Sequence, residues 1–155
     1  MPMKTAAVAF AILAASPAWA EVAPFAAAPA KAVQTKTYYE TSAQSTCESS
    51  VCIVYFPKIK GAEAVLFKRV SCTAVHTGPI YAAAFGVVER KGSVTLTPSV
   101  SLAITPSVAA NGVRYTQFNQ EVLLRIPAGG LPSAGVATTT VDSLSMICTA
   151  TGSPD

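Results

Sequence analysis

Four cysteines and a single histidine are the side chains of this 155-residue chain best equipped for chemistry. Cys47 and Cys52 stand close together, whereas Cys72 and Cys148 are far apart, each followed by Thr-Ala in a strand-like run. The spacing lacks the two tight pairs of a zinc knuckle, and one histidine cannot build a histidine cluster, so no metal is expected. In an exported chain the thiols meet an oxidising compartment, and disulfides are the default. Four cysteines allow three connectivities. Joining Cys47 to Cys52 pairs the two that are close in sequence and leaves the two strand-borne ones, Cys72 and Cys148, for each other. Loop closure gives the long link about 4.5 kcal/mol and the short one about 2 kcal/mol.

His76 finds no catalytic company in the sequence. Ser71 and Ser143 lie near strand ends but not in a Gly-x-Ser-x-Gly elbow, and Asp142 is the one aspartate placed to orient an imidazole. His76 precedes Gly78-Pro79 and reads as a turn residue. Glu89 and Glu121 read as a loop charge and a strand-start charge rather than a glycosidase pair. No catalytic residue and no cofactor is expected. A hydrolase would require His76 in a cleft beside an acid or a hydroxyl, and a surface-exposed His76 would end that reading.

Binding chemistry has better material. Residues 113–120, VRYTQFNQ, interleave Arg114, Tyr115, Gln117 and Asn119, a mixture suited to stacking on a sugar ring while bonding its hydroxyls. Strand alternation puts Tyr115, Gln117 and Asn119 on one face. A glycan-binding surface would add a second exposed ring such as Tyr81. The competing reading makes Tyr115 or Phe118 core, since aromatic side chains are drawn inside. The clustered carboxylates of a calcium-dependent lectin are missing. Thr95 and Thr97 read as ordinary solvated sheet.

The elements that must hold these groups follow from patterning. Residues 1–20 carry Lys4, an apolar run and the ending Ala18-Trp19-Ala20, the layout of a secretory signal peptide too short in its apolar part to span a bilayer. Its removal leaves ten cations against eight anions, far from the basic density that nucleic acid requires. Residues 21–46 begin Ala- and Pro-rich and turn polar, an expected spacer that is largely disordered. From 47 to 152 short β-branched runs alternate with turn residues. CIVYF at 52–56 stops at Pro57, 64–74 forms a central strand, and 80–88 another, closed by a loop at 89–92. Residues 93–105 show the cleanest period of two, interrupted by Pro98. Asn111-Gly112 signals a type I′ hairpin. Two runs, 113–118 and 121–126, precede the last strands at 136–141 and 144–151.

About eight short strands and no convincing amphipathic helix predict an all-β, antiparallel sandwich of the immunoglobulin-like or jelly-roll kind. The expected protein is secreted or periplasmic, with no transmembrane segment after cleavage and a non-enzymatic structural or binding role. Its expected partner class is a glycan or an envelope protein, not nucleic acid.

Overall fold

A computed structural model describes residues 30–141 and 143–155. The expected signal peptide, most of the Ala- and Pro-rich stretch and Asp142 lie outside the described residues. Ten strands run in chain order: β1 (Lys31–Gln34), β2 (Tyr39–Glu48), β3 (Val51–Tyr55), β4 (Val65–His76), β5 (Ile80–Val88), β6 (Ser99–Ser101), β7 (Val108–Ala110), β8 (Val113–Ile126), β9 (Leu131–Thr138) and β10 (Ser143–Pro154). Six form one sheet in the order β1-β2-β10-β4-β8-β7, and four form the other in the order β3-β9-β5-β6. Every pairing is antiparallel, and the two sheets pack as a β-sandwich, as the sequence predicts.

Between the layers runs a chain of aromatic rings. Tyr39 meets Phe67 edge-on at 5.4 Å, Phe67 meets Phe85 at 5.1 Å, and Phe85 meets Phe56 at 6.1 Å. Phe67 and Phe85 are fully buried, one from each sheet, so these contacts fasten the layers at their centre.

The mixed pattern of the central strand has a local cause. Val65 and Phe67 are buried, Lys68 and Arg69 are both exposed, and burial resumes at Val70, Cys72, Ala74 and His76. The register slips there against both neighbouring strands, so a bulge switches which parity faces inward. Opposite the slip, a Cβ on Gly152 would overlap the Leu66 carbonyl oxygen, which is why β10 carries a glycine at that point.

Three sequence expectations need correction. The spacer expected to be largely disordered to residue 46 contains β1 and most of β2, and β2 pairs with β10 along its whole length. Its alternation of Tyr39, Thr41 and Ala43 inward is a strand pattern hidden by polar composition. The run at 93–105 is strand only at Ser99–Ser101, and the rest is irregular. Pro98 has no N–H to give a ladder, and Leu96 packs on the outside of the four-stranded sheet, near Gly135, rather than between the layers. Residues 113–126 form one strand instead of two. The hairpin at Asn111-Gly112 stands as expected, with φ of 51° and 79°.

Candidate functional site

The disulfides are Cys47–Cys52 and Cys72–Cys148, the preferred pairing. Their structural roles are the reverse of what sequence distance suggests. Cys72 and Cys148 face each other directly on the adjacent strands β4 and β10, within one sheet. Cys47 and Cys52 lie on β2 and β3, so the short link is the one that ties the two layers together.

His76 is the last residue of β4 rather than a turn residue, and it is only 1% exposed. Its Nδ1 lies 2.6 Å from the Gly78 carbonyl oxygen and its Nε2 2.8 Å from Thr116 Oγ1. A carbonyl can only accept, so Nδ1 carries the proton and the Thr116 hydroxyl donates to Nε2. The pair sits at the base of a cleft of about 260 Å³ lined also by Ile104, Pro106, Ser107 and Arg114. His76 thus lies beside a hydroxyl, the arrangement a nucleophile and base require. Thr116, however, is as buried as His76, and the bond between them satisfies two buried side chains at the end of the core. Replacing His76 with Leu leaves the Thr116 hydroxyl and the Gly78 carbonyl without this partner and should cost roughly 2 kcal/mol in urea unfolding. No group of three or more His, Cys, Asp and Glu side chains placed to hold a metal occurs among the described residues.

Among the candidate ligand-binding residues, the structure brings three together and separates the fourth. Tyr115, Gln117 and Asn119 face outward from β8, with Thr116 and Phe118 buried between them. Arg114 falls on the other parity, where Nη1 donates to Ser107 Oγ at 3.3 Å beside the His76 cleft. Tyr81 belongs to β5 in the opposite sheet, so Tyr115 and Tyr81 do not share a face.

What sequence reasoning missed is the set of residues that Tyr115, Gln117 and Asn119 join. On the outer face of the six-stranded sheet the register aligns three rows across β2, β10, β4 and β8: Thr46, Ser145, Val75 and Tyr115; then Gln44, Ile147, Thr73 and Gln117; then Ser42, Thr149, Ser71 and Asn119. None of these residues is charged. Strand spacing and rise make the patch about 14 Å on a side. Charge returns in the next row, with Glu40, Arg69 and Glu121, and Arg69 Nε donates to Asn119 Oδ1 at 2.8 Å. Thr46 and Ser145 hydroxyls are bonded to each other at 3.1 Å. No one strand announces this surface, because the contributors come from opposite ends of the sequence.

The outer face of the four-stranded sheet differs in kind. The irregular segment before β6 crosses it, leaving an apolar groove of about 240 Å³ between Val94 and Leu96 on one side and Val51 and Ile53 on the other. Among the described residues no helix is long and apolar enough to cross a membrane, and the two disulfides are consistent with an oxidising, extracytoplasmic compartment. No family model, curated protein or solved structure matches this chain.

Proposed function

We propose that this is a non-enzymatic binding protein of the secretory or periplasmic space, and that it recognises a neutral glycan on the outer face of its six-stranded sheet. The observation that carries this reading is the uncharged patch of three rows, in which hydroxyl and amide side chains surround Ile147 and end on Tyr115. Hydroxyls and amides both donate and accept, which matches the hydroxyls of a sugar. Depletion of charge from the centre with charge at the border is the composition of a contact surface. Tyr115 is half-buried between Val75 and Val108 and offers one ring for stacking. With a single ring, affinity rests on hydrogen bonds, and weak binding of about millimolar to micromolar Kd is expected.

Glycan-array screening followed by calorimetry tests the proposal. Replacing Gln117 and Asn119 together with alanine should weaken retention about tenfold, and Thr73→Arg, which plants a charge in the middle row, should abolish it. Retention unaffected by Thr73→Arg would refute the assignment to this face. A second reading, a protein partner in the cell envelope, is favoured by the apolar groove on the opposite sheet. It predicts that Val94→Glu, at a residue 70% exposed, removes an identified partner while leaving glycan retention unchanged.

A further inference from the structure

We infer that the protein carries a second binding site, a basic cleft at the Tyr55 end of β3, which takes a phosphate or carboxylate group borne on a short apolar carrier. This site is separate from the uncharged sheet face and takes ligands of opposite character, so the two can fail independently.

Two neighbouring clefts meet here, sharing Ala30, Pro57 and Lys58 in their walls. The wider, of about 590 Å³, is lined by Tyr55 and Pro57 over the buried Phe56 and Leu131, and by Glu89, Arg90 and Lys91. Its size falls within the usual span of small-molecule sites, roughly 300 to 1,000 Å³. The narrower, of about 290 Å³, adds Lys60, Gln34 and Tyr39. Lys58, Lys60, Arg90 and Lys91 therefore converge with Glu89 as the one carboxylate among them. Among the described residues, the ion pair formed is that of Arg125 with Asp155, so the four cations of the cleft have no ionic partner. Like charges gathered around low-dielectric walls raise the local concentration of anions.

The cleft is also built, not merely decorated. Gly92 N donates to Tyr55 Oη at 2.9 Å and that hydroxyl donates on to the Ser93 carbonyl at 3.3 Å, which ties the loop bearing Arg90 and Lys91 to β3. Gly92 adopts φ of 90°, a conformation that favours glycine and closes the turn. The second, independent observation is Tyr39. Its hydroxyl is the one buried side-chain polar atom without a hydrogen-bond partner among the described residues, and Tyr39 contributes to the narrower cleft. Burial holds this phenol above its ordinary pKa of 10.0. An unsatisfied donor is costly in the free protein and gains an acceptor when an oxyanion arrives. Phe56 and Leu131 are buried beneath the cleft, so the apolar surface open to a ligand is that of Ala30, Tyr55 and Pro57, and it supplies the reason for a carrier rather than a bare ion.

Titration of the purified protein with hexyl phosphate, inorganic phosphate and 1-hexanol, read by amide NMR shifts and calorimetry, tests the site. Hexyl phosphate should shift Lys58, Lys60, Arg90 and Lys91 and bind more tightly than inorganic phosphate. Lys58→Gln with Lys60→Gln should weaken it about tenfold, as should high salt. Tyr39→Phe should weaken binding about fivefold while raising the Tm of the unliganded protein, which separates a ligand role from a folding role. Equal affinity for inorganic phosphate would overturn the apolar carrier. Shifts at other residues only, or an equal response to 1-hexanol, would overturn the anion site, and unchanged binding by Tyr39→Phe would remove the phenol from it.

Discussion

Replacing Cys72 and Cys148 together with alanine should lower the free energy of unfolding by about 4 to 5 kcal/mol, the larger of the two disulfide losses. The bond closes a loop with a sequence separation of 76, against 5 for Cys47–Cys52, and its removal releases the corresponding chain entropy to the unfolded state. Domains of this kind are stable by roughly 5 to 15 kcal/mol, so the loss approaches the whole margin. Losing Cys47–Cys52 should cost about 2 kcal/mol, although that bond is the one spanning the layers. The contrast separates two ideas of what a disulfide does. If loop length governs, the bond inside one sheet matters more, and if fastening layers governs, the short one does. Urea unfolding of both double variants under oxidising conditions decides this, and equal losses would count against the entropic account.

Phe67→Ala should cost about 3 to 5 kcal/mol, because a fully buried ring is removed from a site that cannot collapse around the gap. Phe67 touches Tyr39 along its own sheet and Phe85 across the interface, so its deletion breaks two edge-on contacts as well as leaving a cavity. Leu123 provides the control: it is 80% exposed on β8, and Leu123→Ala should shift stability by no more than about 0.5 kcal/mol. A loss below about 1.5 kcal/mol for Phe67→Ala would mean that the aromatic chain is not the centre of the core.

The strand at 113–126 shows how far local pattern carries. Its alternation places Tyr115, Gln117 and Asn119 on one face without any knowledge of partners, and the side-chain period of a strand guarantees that result. The same period places Arg114 on the other face, which the composition of the segment obscures. The run at 93–105 has a better alternation and yet is strand for three residues only. A period of two reports which residues would share a face if the segment were extended, but pairing needs a ladder, and here the hydrogen bonds to β5 reach only from Thr97 to Leu102. The opposite error occurs at β2, where Ser, Thr and Gln hide a strand that β10 recruits along ten residues. Context, through cross-strand neighbours, outweighs the weak intrinsic preference of such residues.

Sequence by itself determined the fold class and the hairpin at Asn111-Gly112, because each follows from local periodicity or the φ a residue tolerates; it favoured one pairing of the four cysteines, and the structure selected that pairing among the three. Tertiary structure alone decided that the long disulfide lies within one sheet, that His76 is buried against Thr116, and that Tyr115 and Tyr81 part company. It also created the uncharged face and the basic cleft, since both gather residues far apart in the chain. Strand order is set by the competition of every strand for burial and hydrogen bonds at once, and no single stretch contains that information.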